Sequence, residues 1–353
     1  MLTRRTVLAG AATTAALAYV AVASNATAAT ADTKPLRIGL ASREITNDYN
    51  RDIIAGAKRV IEAAGGTLLV ADGQTDPGKH NENIENLINS GVNGLIIQLG
   101  NAQQLAPVVA TANKAGIPVV TTSVGATTPG ALTEVGGDES LMAVLMNRAL
   151  LSSINYQGDV YVVWVPGAPL LETRKRILEA MVKDFPRVRL HEVPTEHSPA
   201  KVQAQMEDIL TANAKPGSIT AVWGAYDLLV SGAVEAIRRA GRNEIKVASI
   251  DGDRIGFQML LEEDSPFVAT VVQDVPRIGE LAAQTVLAAL KGEKNFPSTV
   301  FTNAWVTTHA NVVASAEKRW GPKVWDELQF ARADVEKRFP QTEEVLVMRP
   351  TLP

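Results

Sequence analysis

The chain has 353 residues, 46% of them hydrophobic, and Lys+Arg 34 against Asp+Glu 38 leaves a net charge of −4. That length accommodates about two domains with sizeable cores, and the absence of basic blocks or aromatic–basic interleaving argues against a nucleic-acid partner. There is no cysteine, which excludes disulfides, thiol catalysis and attachment through a lipobox cysteine.

In chain order, the first segment is "MLTRRTVLAGAATTAALAYVAVASNATAATA". It has a basic start at Arg4 and Arg5, an Ala-rich apolar middle and small residues at Ala26-Thr27-Ala28, the pattern of a cleavable export signal over residues 1–28. The twin arginines fit the Tat variant of that signal. The apolar stretch Leu8 to Ala23 is short for a membrane anchor. The mature chain is therefore expected free in the periplasm, not inserted in a membrane.

From Pro35 onward apolar runs alternate with helical periodicity. "LRIGLAS" reads as a strand, and "NRDIIAGAKRVIEAA" follows with Ile53, Ile54, Ala57, Val60, Ile61 and Ala64 at helical spacing. Then come the strand "TLLVAD", a helix from Pro77 to Ser90, the strand "GLIIQL", a helix from Ala102 to Ala115 and the strand "IPVVTTS". A helix from Glu139 to Ile154 precedes the strand candidates "DVYVVWV", "RVRLHEV", "SITAVW", "KVASID" and "FVATVVQ", with helices between them. "NSGVNG", "KAGIPV" and "RAGRNE" each place a glycine at a helix end before a strand. Pro276 to Lys291 reads as a further helix, "FPSTVFTNAWVTTHANV" as a looser segment, and Ala314 to Pro353 as a charged, partly helical tail with no assigned place.

Continuous apolar strands, each followed by a helix, imply parallel sheets covered on both faces. The expected fold class is α/β, with two doubly wound parallel-sheet lobes. Ligands of such sheets bind beyond the C-terminal strand ends. Those ends read "ASREITNDYN", "TTSVG", "WVPGAP", "WGAYD", "IDGD" and "VVQD". Amides, carboxylates and hydroxyls mixed with flat aromatic rings suit a neutral polyhydroxylated ligand.

With those residues in view, Leu36 to about Lys294 resembles the periplasmic sugar-binding proteins of ABC transporters, the ribose-binding-like group of the type I fold. The motifs that carry the resemblance are "NDYNRDIIAGA", "KAGIPVVTT", "WGAYDLLVSGAVEAI", "VASIDGD" and "VATVVQDVPRIG". The resemblance implies two lobes joined by a hinge of three crossovers near Gly137-Asp138, Asp274–Pro276 and Phe301–Thr307. The expected division is residues 35–138 plus 275–303 for the N-terminal lobe, and 139–274 plus 304–353 for the C-terminal lobe and tail. It implies ligand contacts at Asn47, Tyr49, Asn50, Ser123, Arg176, His197, Tyr226, Asp251 and Gln273. The family's usual Asp-Arg pair falls on Ser123-Val124 here, which shifts the expectation from ribose toward a pentitol, hexitol or unusual sugar. The implied partner is a membrane ABC permease, with a chemoreceptor as an alternative recipient, and the implied state is a monomer.

Bland readings accompany these positions. Asn47 or Asp48 suits a helix N-cap, and Asp253 caps the helix after "IDGD" better than Asp251 does. Arg174 and Lys175 fit a solvated helix face, and Trp164 and Trp223 fit core packing. His80, His191, His197 and His309 show no metal spacing, and "DGD" lacks the alternating oxygens of a calcium loop. No cofactor is expected. There is no G-x-S-x-G elbow, phosphate loop or G-x-G-x-x-G after the first strand, so an enzyme is not expected. A glycosidase built on Asp251 with Asp227 or Glu172, and a binding protein for a signalling molecule, remain as alternatives.

Overall fold

The computed structural model describes residues 35–348. The export-signal expectation over residues 1–28 and the last residues of the tail lie outside the described residues. Both sheets of the molecule belong to one compact unit that begins at Leu36.

The first sheet is built from β1 (Arg37–Ser42), β2 (Thr67–Asp72), β3 (Gly94–Gln98), β4 (Val119–Thr122), β5 (Glu134–Gly137) and β11 (Thr299–Thr302). The second comprises β6 (Gly158–Trp164), β7 (Val188–Pro194), β8 (Ala221–Gly224), β9 (Lys246–Asp251), β10 (Phe267–Gln273) and β12 (Ala304–Thr308). Their orders are β11-β5-β4-β3-β1-β2 and β12-β10-β9-β8-β6-β7. The strand order reverses beside β1 and β3 in one sheet and beside β6 and β8 in the other, which is the doubly wound pattern. All neighbours run parallel except β10 and β12. β3 and β4 are wholly buried, as strands covered on both faces must be.

Helices α1 (Asp48–Ala63), α2 (Pro77–Asn89), α3 (Ala102–Lys114) and α9 (Val275–Leu290) cover the first sheet. Helices α4 (Glu139–Ser153), α5 (Pro169–Val182), α6 (Pro199–Ala212), α7 (Asp227–Arg239) and α8 (Arg254–Leu261) belong to the second. Gly91, Gly116 and Gly241 follow α2, α3 and α7 with φ of 74°, 74° and 65°, the left-handed C-cap expected from the sequence. α1 and α9 cross closely enough that a Cβ at Gly279 would lie 1.8 Å from the Ile53 carbonyl oxygen. Any side chain there would separate the two helices.

The chain passes between the sheets at three points: Asp138 between β5 and α4, Asp274 between β10 and α9, and Asn303 between β11 and β12. Two of them are tied together, since the Asp274 amide donates to the Asn303 carbonyl at 3.1 Å. These are the three crossovers of the expected fold.

The segment read as loose contains β11 and β12. The tail forms α10 (Val312–Trp320), α11 (Val324–Leu328) and α12 (Arg332–Arg338). It packs against elements of the second sheet: Trp320 meets Phe257 of α8 edge-on at 4.9 Å, and Met348 pairs with Ala304 of β12.

Candidate functional site

One wall of the site comes from the first lobe. The Asn47 side chain accepts from the Asn50 amide at 2.9 Å and so starts α1; its Nδ2 donates to Glu44 at 2.6 Å. That cap fixes the first helical turn, which carries Tyr49 and Asn50. Asn50 is buried, and its side-chain Oδ1 accepts from Gln98 Nε2 at 2.8 Å at the tip of β3. The Tyr49 hydroxyl meets Ser123 Oγ at 2.8 Å just past β4. Ser123 has φ of 55°, a left-handed turn that brings its hydroxyl back toward α1.

The opposing wall comes from the second lobe and centres on Arg174. Its side chain is 3% exposed. Nε donates to Glu139 at 2.5 Å, Nη1 to the Ala225 carbonyl at 2.6 Å and Nη2 to Asp251 at 3.3 Å. Burial opposes the guanidinium charge, but Glu139 and Asp251 outweigh it and hold its pKa above the ordinary value. Asp251 also accepts from Gln273 Nε2 at 3.0 Å. Burial pushes the Asp251 carboxyl up to about 6, against the pull of Arg174 and with Glu139 adding to the rise.

Asp251 is held in an uncommon backbone state, φ 127°, a region that side chains avoid. The support comes from beneath. The buried Asp227 carboxylate accepts from the Gly252 amide at 2.8 Å, from Thr270 at 2.8 and 2.9 Å, and from the Ser249 hydroxyl. Gly252, at φ 62°, lies against β10 so closely that a Cβ would sit 2.6 Å from Val272 Cα. Asp253 caps α8 by accepting from Gly256 N at 2.9 Å, as read from the sequence. Asp227 is thus a structural brace, and its carboxyl is raised by burial and then by Asp253 and Asp251.

The walls face each other. The Tyr49 hydroxyl is raised first by burial and then by Asp251 and Glu139 of the other lobe. Tyr226 is raised by burial, then by Asp251 and by Glu44 of the first lobe. His197 lies at the rim with Nδ1 2.9 Å from the Tyr226 hydroxyl; burial and then Arg43 lower its pKa.

The structure therefore brings Tyr49, Asn50, Ser123, Asp251 and Gln273 to the tips of the facing sheets, with Tyr226 and His197 along the edge. Asn47 is turned into its own loop. Arg176 is the correction: it is exposed, its guanidinium reaching only Thr173 at 3.3 Å, while Arg174 occupies the cleft. Helical phase explains this. Leu171, Arg174 and Leu178 are the buried positions of α5, three and four residues apart, and Arg176 falls off that face. Sequence reasoning also misses Glu139, which directly follows a crossover, and Gln98, the last residue of a buried strand. Trp223 is core, donating to Asn147 at 2.7 Å, and Trp164 lies beneath Lys175.

Among the described residues, no three His, Asp or Glu side chains are grouped to hold a metal ion, and no helix is long and apolar enough to cross a membrane.

Residues 38–294 match the periplasmic binding protein domain family. The ribose import binding protein of Escherichia coli (strain K12) is 25% identical over 258 residues, 73% of this chain and 86% of that protein. A xylitol-binding protein of Mycolicibacterium smegmatis is 23% identical over 73% of this chain and 72% of its own length. An Agrobacterium vitis ABC-transporter solute-binding protein, solved with bound allitol, superposes with a TM-score of 0.76 at 27% identity, covering 81% of this chain and 99% of that one. With its family match spanning most of the described residues and its two-sheet architecture shared with these neighbours, the chain belongs to the periplasmic binding protein domain family.

Proposed function

We propose that this chain is the substrate-binding protein of an ABC importer, exported to the periplasm as a monomer, which captures a small neutral sugar or sugar alcohol between its lobes. The lobes, 35–138 plus 275–303 and 139–274 plus 304–353, would close about the crossovers at Asp138, Asp274 and Asn303, and a membrane permease would receive the cargo.

The observation that carries this reading is the meeting of Tyr49 and Ser123 from one lobe with Arg174, Asp251 and Gln273 from the other. The Arg174 charge is already taken up by Glu139 and Asp251, so the site offers no free cation to an anionic guest. Asp251, Gln273 and Ser123 present acceptors and donors to hydroxyls, and the tyrosine rings present flat faces to C–H surfaces. The ribose, xylitol and allitol proteins among its relatives point to the same ligand class. Of the carboxylates read as a glycosidase pair, Asp251 is engaged by Arg174, Asp227 by Gly252, Ser249 and Thr270, and Glu172 by the Gly167 amide, an arrangement for holding rather than for proton transfer.

A thermal-shift panel of pentoses, hexoses, pentitols and hexitols on the chain from about Ala29 tests it. Ligand at a hundredfold excess over Kd adds about 2.7 kcal/mol of stability. A shift with one class, lost in Asp251→Ala, supports the proposal; a flat panel refutes it.

A further inference from the structure

Helix α1 carries two carboxylates one turn apart, Asp48 and Asp52. Two guanidiniums of the other lobe meet them. Arg319 of α10 reaches Asp52 at 2.7 Å, and Arg254 of α8 lies 3.8 Å from Asp48, which also meets Arg51 of its own helix. Both guanidiniums flank the Trp320 ring, and Phe257 of α8 packs edge-on against that ring. The second lobe thus presents a cationic pair, built around an aromatic ring, to an acidic pair on the first.

Arg319 depends on its partner most. Its side chain is 3% exposed. Among the described residues the bond to Asp52 is its one hydrogen bond, and its Nε is buried without a partner. Burial lowers its pKa, and Asp52 and then Asp274 at the crossover work against that. A guanidinium kept from water relies on its acceptor, and this acceptor belongs to the lobe that must move if the cleft is to open. A contact made in one arrangement and lost in another shifts the balance between them by its own free energy. Neither Asp52 nor Arg319 takes part in the site built on Tyr49, Arg174 and Asp251, so an effect on ligand has to pass through the lobes.

We propose that Arg319 latches the tail onto Asp52 of α1, keeps the unliganded chain largely closed, and so sets the affinity of a site that neither residue touches. The proposal rests on the lobe-closure reading above and deepens it, because it assigns part of the closing free energy to the protein itself. It also gives a role to the tail, which lies beyond the family-matched residues.

The chain has no cysteine, so two spin labels can be attached at chosen positions. Glu85→Cys on α2 and Lys215→Cys beyond α6 replace exposed residues. They follow β2 and β7, the strands farthest from the crossovers in each sheet, where closure moves the lobes most. Label-to-label distances from electron spin resonance, with and without ribose, xylitol or allitol, are combined with calorimetric titration of the same three probes. The expected result is a short distance that already dominates in the unliganded wild type and persists with a bound probe. Asp52→Ala should lower the unliganded short-distance fraction about tenfold and weaken the bound probe by the same factor, since affinity scales with the competent fraction. Saturating probe should restore the short distance. Asp52→Asn, which keeps the shape of the side chain, should act in the same direction to a smaller extent and covers the case in which Asp52→Ala does not fold. An unliganded wild type that is mostly open, or variants that bind and keep wild-type distances while the wild type changes with probe, would overturn the latch alone. One distance in every sample, with binding intact, would overturn lobe closure as well. No binding of any probe would overturn the functional reading.

Discussion

Arg319 of α10 donates to the carboxylate of Asp52 in α1 at 2.7 Å, so a helix beyond the family-matched region grips the first helix of the other lobe. Arg254 of α8 lies beside the same contact, 3.8 Å from Asp48 and 2.8 Å from Glu327 of α11. The guanidiniums of Arg254 and Arg319 each lie 5.3 Å from the Trp320 ring centre. The tail thus joins the lobes as well as covering one of them.

The two partners of that ion pair should not be equivalent under substitution. Arg319 is 3% exposed and Asp52 is 23% exposed. Asp52→Ala strands a buried guanidinium and should cost about 3 kcal/mol. Arg319→Met leaves a partly solvated carboxylate and should cost about 1 kcal/mol. Urea unfolding monitored by fluorescence separates the two; a larger loss for Arg319→Met would contradict the assignment of burial.

Arginines two residues apart on α5 should behave as unlike residues. Arg174→Ala uncovers Glu139 and Asp251 and should abolish ligand binding. Arg176→Ala should leave affinity unchanged and stability within about 0.5 kcal/mol. Titration of both variants with the wild-type ligand decides, and a binding defect confined to Arg176→Ala would overturn the placement.

Asp227 tests whether the brace under Asp251 works through hydrogen bonds or charge. Its carboxyl is raised well above the ordinary range by burial, so an amide is a near mimic. Asp227→Asn should cost about 1 kcal/mol, and Asp227→Ala, which leaves Gly252 N, Ser249 and Thr270 without an acceptor, about 3 kcal/mol. Equal losses would place the stabilisation in the charge.

Acidity should reveal Glu134. Burial, the largest cause, raises its carboxyl to about 7 from the ordinary 4.5, with Glu139 adding to the rise and the Thr121, Val124 and Gly125 contacts opposing it. An acid whose folded pKa is raised binds its proton more tightly when folded, so stability is lost as pH climbs from about 4.5 through about 7. Glu134→Gln escapes that loss. The melting temperature of the variant minus that of the wild type should therefore become more positive from pH 5 to pH 8. A difference that is flat, or that falls, contradicts a buried, partner-poor carboxyl.

Much of the fold is legible because its signals are local. β1, β3, β9 and β10 are apolar runs, and the glycines after α2, α3 and α7 stand where a left-handed cap needs them. Asp253 caps α8 because it immediately precedes the helix. What escapes is held by distant partners. β5, β11 and β12 have four or five residues each and exist only as additions to sheets built elsewhere. The tail helices lack a register until α8 supplies a surface. In the site, strand-tip residues such as Asp251 and Gln273 are readable from position alone. Arg174 is readable too, since its spacing from Leu171 and Leu178 marks the buried face, but a buried charge runs against the ordinary expectation for a basic helix segment. Glu134 carries no local signal, because its partners are the amides of a turn ten residues upstream.

The most direct test of the central claim is calorimetric titration of the chain from about Ala29 with ribose, xylitol and allitol, repeated on Asp251→Ala. One molecule of a sugar or sugar alcohol should bind per chain and be recovered chemically unchanged, and the variant should give no measurable heat. Absence of binding across the three, or recovery of a hydrolysed or otherwise altered product, would contradict it.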